Sequence, residues 1–195
     1  MLQDLAPSPP TAKAERILGD LNVWIFVLGD LVFFGAYYVI YMVYRHQETR
    51  VFLASQQHLS LIAGTLNTMI LLTSSRFVAL AIQAARSGDR ERARRLIAYS
   101  WLLGVAFVAI KVSEWTYLIS HGFTLTRNDF FMFYFMLTGV HLFHVILGLA
   151  VLVVVMRELR SPEPSRSWII ESGAVYWHMV DLLWIGIFAL LYLMR

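Results

Sequence analysis

The amino-acid sequence predicts an all-α polytopic membrane protein, built as a bundle of five transmembrane helices. The first observation is composition: 58% of the 195 residues are hydrophobic and only 15% are charged. A soluble domain, by contrast, is roughly 45–50% apolar and about 25% charged. The second observation is segregation, because the apolar residues gather into long blocks and most charged residues lie between them. This arrangement is favoured when lipid rather than water is the solvent.

Five apolar blocks are long enough to cross a hydrocarbon core, which takes roughly 20 helical residues at about 1.5 Å each. The predicted spans are Asn22–Tyr44, Leu59–Gln83, Leu96–Ser120, Phe130–Met156 and Trp168–Met194. Residues 1–21 contain acids and three prolines but no apolar run. We expect a cytoplasmic tail there, mostly disordered, rather than a signal peptide. Residues 22–195 then form a single transmembrane domain, because no connector is large enough to fold separately.

The basic residues of the connectors predict the orientation of the bundle. The tail and the connectors at 84–95 and 157–167 carry 2, 5 and 3 Lys or Arg residues, against 2, 1 and 1 on the other side. The positive-inside rule therefore places the N-terminus in the cytoplasm and the C-terminus outside. Aromatic residues near the block ends agree with an interfacial belt; they are Tyr44, Trp101, Trp115, Trp168 and Tyr192.

Several classes of chemistry are excluded by the residues that are missing. The chain has no cysteine, which excludes disulfides, thiolate zinc sites, cysteine-ligated iron–sulfur clusters and a cysteine nucleophile. The sequence also contains no phosphate-binding loop, nucleophile elbow or paired catalytic carboxylates. The net charge of +3 comes from short loops that set topology, so it does not indicate nucleic-acid binding.

Ionisable residues inside the apolar blocks are the candidate functional residues. Each costs several kcal/mol in hydrocarbon and tends to face the protein interior with a partner. The set is Asp30, Arg76, Lys111, Glu114, His141, His144, Glu171, His178 and Asp181.

Asp30 and Arg76 are predicted at similar depth on the first and second spans. We hypothesise an ion pair between them, because pairing costs less than leaving either charge alone. The alternative is that Arg76 extends to the cytoplasmic surface while Asp30 stays protonated. Together with Glu114 and Glu171, these two residues form the candidate set of buried or proton-linked groups.

Residues three apart share one face of a helix, and this spacing occurs three times. Lys111 and Glu114 can form a local ion pair near the outer surface. His141 with His144, and His178 with Asp181, are predicted at comparable depth and could form one interhelical polar cluster. The cluster has two interpretations: hydrogen bonds that fix helix packing, or a haem or metal site. The second would make the chain a self-contained membrane redox protein.

Five stretches of sequence resemble the third subunit of haem-copper oxidases. They are WIFVLGDLVFFGAYY from Trp24, LNTMILLTSS from Leu66, KVSEW from Lys111, FMLTGVHLFHVILG from Phe135 and ESGAVYWHMVDLLWIGIF from Glu171. The last two are the most specific. Full-length members carry two further helices ahead of a lipid-filled cleft, so this chain resembles the five-helix form. The sequence FLASQQHLSLIAGTLNTMILLTSS is most similar to the subunit-III-like protein encoded with bacterial nitric oxide reductase.

The resemblance implies a non-catalytic subunit with no catalytic, cofactor-binding or metal-binding residue of its own. Haem and metal are expected in a haem-copper catalytic subunit, which would be the partner together with an associated cytochrome subunit. Structural phospholipid, and a place in the bacterial inner membrane, are also implied, whereas nucleic acid and soluble substrate are not. Asp30 occupies the place of the carbodiimide-reactive Glu of the oxidases, which links it to proton uptake.

Overall fold

The computed structural model describes residues 21–161 and 167–194, with the side chain of Ser167 excepted. In these ranges the protein is helical and contains no strand. The helices are α1 (Leu21–Gln47), α2 (Thr49–Gln56), α3 (Leu61–Arg86), α4 (Arg90–Ser120), α5 (Asp129–Glu158) and α6 (Ser167–Phe188), which continues as a π-helical turn (Ala189–Leu193). The expected tail at 1–21 lies outside the described residues, except for Leu21, which begins α1.

The five predicted spans are confirmed, since α1, α3, α4, α5 and α6 with its π-helical turn are all long and apolar enough to cross a membrane. Two local features differ from the prediction. The connector after the first span folds into the short helix α2. Helix α4 begins at Arg90, well before the predicted Leu96, because the Asp89 side chain accepts a hydrogen bond from the Arg92 N–H and caps the helix.

Helices α3, α4, α5 and α6 form the body of the bundle, and α1 packs onto α6, α2 and α5. Helix α1 buries one residue every seven, namely Val27, Phe34 and Tyr41. This spacing gives a narrow stripe, so the other faces of α1 carry large exposed hydrophobic side chains, as expected of a helix surrounded by lipid or by another subunit.

Trp177 of α6 occupies the point where four helices meet. A Cβ added at Gly148 of α5 would lie 2.8 Å from its ring, and one at Gly104 of α4 would lie 2.9 Å from it. The indole N–H donates to Ser74 Oγ of α3 at 3.1 Å. Ser74 in turn shares a 2.7 Å hydrogen bond with Ser100 of α4. Small residues therefore let α4 and α5 close around one tryptophan.

The π-helical turn at the end of α6 is held by α1 and α2. Gln56 Nε2 donates to the carbonyl oxygens of Leu190 at 3.3 Å and Leu191 at 3.2 Å. The Tyr41 hydroxyl donates to Leu190 O at 3.2 Å. A π-helical turn disturbs the regular i to i−4 ladder, and these side chains bond the carbonyls that the turn presents. Tyr192 is thereby directed into the bundle.

Candidate functional site

Among the described residues, the most deeply buried charged side chain is that of Lys111, on α4. Its Nζ donates hydrogen bonds to Glu114 Oε2 at 2.6 Å and to the Tyr192 hydroxyl oxygen at 2.8 Å. The Tyr192 hydroxyl lies 2.9 Å from each carboxylate oxygen of Glu114. Lys111 is 1% exposed and Glu114 8%. The expected local pair thus forms, but as a buried triad with a third member from the π-helical turn.

Aromatic rings surround the Lys111 ammonium on its other sides. Nζ lies 4.7 Å from the ring centroid of Trp184, 5.2 Å from that of Tyr192 and 5.6 Å from that of Tyr134. Trp184 is itself fixed by a 3.0 Å hydrogen bond from its indole N–H to Thr68 Oγ1 on α3. A buried charge is tolerated when its hydrogen bonds are satisfied and its surroundings are polarisable. The triad meets both conditions inside the bundle.

Tyr192 was assigned from the sequence to the aromatic belt, and the structure corrects that assignment. Its side chain is fully buried because the π-helical turn rotates it toward α4. No sequence spacing could reveal the contact, since Tyr192 and Glu114 are 78 residues apart.

Asp30 pairs with His144 of α5, whose Nε2 lies 3.2 Å from Asp30 Oδ2. The expected Asp30–Arg76 pair does not form. Arg76 is exposed on α3, whereas α1 packs mainly against α2, α5 and α6. Similar depth along two consecutive spans was therefore a poor guide, because α1 and α3 are not close neighbours in the bundle.

Hydrogen bonding fixes which ring nitrogen of His144 carries a hydrogen. Its Nδ1 lies 2.8 Å from the carbonyl oxygen of Val140, and a carbonyl only accepts, so Nδ1 carries the hydrogen. A neutral imidazole then presents an unprotonated Nε2 to Asp30. Contact at 3.2 Å is attractive only when Nε2 or the carboxyl holds one more proton. The Asp30–His144 pair is an approach of 3.2 Å without hydrogen-bond geometry, since Asp30 Oδ2 has no hydrogen-bond partner among the described residues.

The four residues of the expected polar cluster lie in three separate neighbourhoods. His141 is fully buried beside the rings of Phe107 and Trp184, with centroid distances of 5.7 and 5.3 Å. Its ring nitrogens have no hydrogen-bond partner among the described residues. His144 faces α1, as described above. Residues three apart on a helix diverge by about 60°, which sends these two imidazoles in different directions.

His178 faces α3, where its Nδ1 contacts the hydroxyl of Ser75. Asp181 Oδ2 lies 3.8 Å from the same nitrogen, and the His178 side chain is 41% exposed. Within the part of the chain that the structure describes, no group of three or more His, Cys, Asp or Glu side chains is arranged to hold a metal ion.

Glu171 also differs from its expected setting. Its Oε1 accepts a 2.8 Å hydrogen bond from Arg86 Nη2, and the two side chains are 26% and 58% exposed. The pair joins the beginning of α6 to the end of α3, at the end of the bundle that carries most arginines. Glu171 thus lies at the surface rather than in the buried proton-linked set.

Known proteins match this chain over the region that contains its helices. A family model described as cytochrome c oxidase subunit III matches residues 19–195. Cytochrome bo(3) ubiquinol oxidase subunit 3 of Pseudomonas aeruginosa is 30% identical over 173 residues, covering 88% of this chain and 82% of that relative. Cytochrome c oxidase subunit 3 of Corynebacterium diphtheriae is 29% identical over 194 residues, covering 97% and 95%. Quinol oxidase subunit 3 of Bacillus subtilis is 28% identical over 192 residues, covering 97% and 93%.

The matched region contains all five spans together with the Lys111–Glu114–Tyr192 triad and the Asp30–His144 pair. The chain therefore belongs to the cytochrome c oxidase subunit III family.

Proposed function

We propose that this chain is the non-catalytic, subunit-III-like component of a haem-copper respiratory complex in a bacterial inner membrane. The observation that carries the proposal is the family match over residues 19–195. The chemistry of the bundle supports it, since the buried Lys111 pairs with Glu114 and the half-buried Asp30 lies 3.2 Å from His144. In this role the chain supports assembly and stability and holds structural phospholipid. Haem and metal reside in the partner catalytic subunit.

Co-purification tests the assembly. The tagged chain is extracted from native membranes in mild detergent, and the accompanying chains are identified by mass spectrometry alongside an optical spectrum. We expect a haem-containing catalytic subunit and an associated cytochrome subunit. Recovery of the chain alone with a Soret band of its own would instead favour a self-contained haem protein using His141, His144 and His178.

We propose further that the partner complex is of the nitric oxide reductase type. The proposal rests on the similarity of residues 52–75 to the subunit-III-like protein encoded with that reductase. Assaying the purified complex with oxygen and with nitric oxide separates this from a cytochrome c or quinol oxidase. Oxygen reduction without nitric oxide reduction would overturn the subtype and leave the subunit role intact.

Asp30 is the residue that we assign to proton exchange. Its carboxyl oxygen Oδ2 lies 3.2 Å from Nε2 of His144. The test compares proton uptake by the reconstituted complex carrying Asp30→Asn with that of a complex carrying Arg76→Met. We expect a slower rate only in the first, and equal rates in both would remove Asp30 from the pathway.

The orientation can be measured directly because the natural chain contains no cysteine. Single cysteines introduced at Ser87 and at Thr126 report opposite ends of the bundle to a membrane-impermeant maleimide. We expect labelling of the Thr126→Cys variant, and not the Ser87→Cys variant, in intact cells with a permeabilised outer membrane.

A further inference from the structure

Four arginines converge on one cavity of about 330 Å³ between α4 and α5. Arg94 and Arg95 come from the first turns of α4, and Arg157 and Arg160 come from the end of α5 and the residues after it. Because the two helices are antiparallel, all four lie at the same end of the bundle. This is the end that the positive-inside rule places in the cytoplasm.

Three of the four arginines have no carboxylate partner in the part of the chain that the structure describes. Arg95, Arg157 and Arg160 form no ion pair with a carboxylate in residues 21–161 and 167–194. Arg94 pairs with Glu91 at 2.9 Å, but Glu91 is 61% exposed, and such surface pairs are weak. Guanidinium groups held close together repel one another, so the cavity favours an anion.

Two other arginines at this end of the bundle have partners outside the cavity. Arg86 pairs with Glu171, and Arg90 Nη1 donates to the Ser161 carbonyl at 3.0 Å. The Arg90 contact fixes the chain just after Arg160 against the beginning of α4. This contact outside the cavity therefore keeps Arg160 close to the arginines of α4.

The remaining wall of the cavity is apolar, formed by Ala98 of α4 with Val153 and Met156 of α5. Each lies further from the helix end than the arginines of its own helix, on the side of the membrane interior. A ligand that fits must place negative charge among the arginines and hydrocarbon along this wall. A phospholipid has that division, with its phosphate at the interface and its acyl chains in the core.

We propose that the cavity between α4 and α5 binds the phosphate of an anionic phospholipid from the cytoplasmic leaflet, with the lipid's acyl region against Ala98, Val153 and Met156. Guanidinium groups bind phosphate through paired parallel hydrogen bonds, and basic pockets between transmembrane helices on the cytoplasmic side bind acidic headgroups. The inference deepens the lipid-binding part of the proposed function and does not depend on which catalytic subunit is the partner.

Native mass spectrometry of the complex that co-purifies with the tagged chain tests the site. Phosphatidylglycerol or phosphatidylcholine is added to the delipidated complex, and lipid adducts are counted on the chain after it is released in the gas phase. We expect more phosphatidylglycerol than phosphatidylcholine on this chain. Equal retention of the two lipids would overturn the proposal, as would displacement of phosphatidylglycerol by millimolar inorganic phosphate, which would indicate a site for free phosphate.

Substitution locates the binding. The double variant Arg157→Gln with Arg160→Gln should weaken phosphatidylglycerol retention about thirtyfold, or about fivefold per arginine. The control, Arg76→Gln with Arg92→Gln, removes the same charge from exposed positions outside the cavity and should leave retention unchanged. An equal loss in both double variants would indicate diffuse attraction and contradict a built site.

A second variant keeps the test decisive if the arginine variant misfolds. Ala98→Phe places a larger side chain in the cavity at its apolar wall and leaves every charge in place, so it should lower phosphatidylglycerol retention. Unchanged retention in this variant would overturn the cavity as the site. Failure of the proposed function would appear separately, as the absence of a haem-containing subunit from the purified complex.

Discussion

The hydroxyl oxygen of Tyr192 lies 2.8 Å from Nζ of Lys111, and this contact ties the end of α6 to the middle of α4 across the bundle. The same hydroxyl reaches both carboxylate oxygens of Glu114 at 2.9 Å. A single phenol thus completes the hydrogen bonding of a buried ion pair. The triad stabilises the fold, because it pairs two charges that would be costly to leave unpaired inside the membrane.

Replacing Tyr192 with Phe should destabilise the bundle by about 1–3 kcal/mol, the usual consequence of leaving buried polar groups unsatisfied. The ring and its packing are kept, so the loss reports the hydroxyl alone. Thermal unfolding of the complex in detergent, followed by helical circular dichroism, measures the change. Tyr99→Phe is the matched control, since Tyr99 is exposed. Equal unfolding temperatures for the Tyr192→Phe variant and the natural chain would contradict the hydrogen-bonded triad.

The ion pair itself should behave as a unit. Lys111→Met leaves the Glu114 carboxylate buried without its partner and should cost about 3–5 kcal/mol. Adding Glu114→Gln removes the stranded charge, so the double variant should recover a substantial part of that loss. A double-mutant cycle on the unfolding free energy measures the coupling. Simple additivity of the two substitutions would show that the charges do not interact.

Close packing around Trp177 predicts a strong position dependence for glycine substitutions. A Cβ at Gly148 would meet the buried Trp177 ring at 2.8 Å, so Gly148→Ala should cost about 1–3 kcal/mol through overpacking. Gly35 of α1 has nothing within 4 Å of the added Cβ. Gly35→Ala should therefore leave the unfolding free energy unchanged or raise it slightly, because alanine favours helix. Similar losses at both positions would argue against the described packing of α5 on α6.

The partner of Asp30 can be identified by infrared spectroscopy. The carboxyl or carboxylate band that Asp30→Asn removes should shift in the His144→Leu variant, because the imidazole is 3.2 Å away. The same band should be unchanged in Arg76→Met, since Arg76 is exposed on another helix. The reverse pattern, a shift only on replacing Arg76, would restore the pairing that the sequence suggested.

The spans were predictable from the sequence because crossing a membrane imposes a length and a composition on each helix separately. The partners of the buried charges were not, since they depend on which helices become neighbours. Lys111 and Glu114 were paired correctly because both lie on α4, one turn apart. Asp30 was assigned the wrong partner because α1 packs against α5 and α6 rather than α3. The role of Tyr192 depends on a π-helical turn, and no residue pattern in that segment predicts such a turn.

The histidines show the same limit. A common spacing on two helices suggested one cluster, but His141 lies between α4 and α6, His144 faces α1 and His178 faces α3. Periodicity predicts which residues share a face of a helix, but it does not predict which helix packs against that face. The resemblance, which spans nearly the whole chain from Trp24 onward, supported the functional assignment more strongly than any single residue did.

The Lys111–Glu114 ion pair is satisfied within the bundle, and we propose that haem and metal belong to the partner subunit. The most direct measurement is the haem and metal content of the purified complex before and after this chain is stripped from it with detergent. We expect both to remain quantitatively with the catalytic subunit, and the released chain to show neither a Soret band nor bound metal. Stoichiometric haem or metal on the released chain, lost on replacing His144, would contradict the proposal.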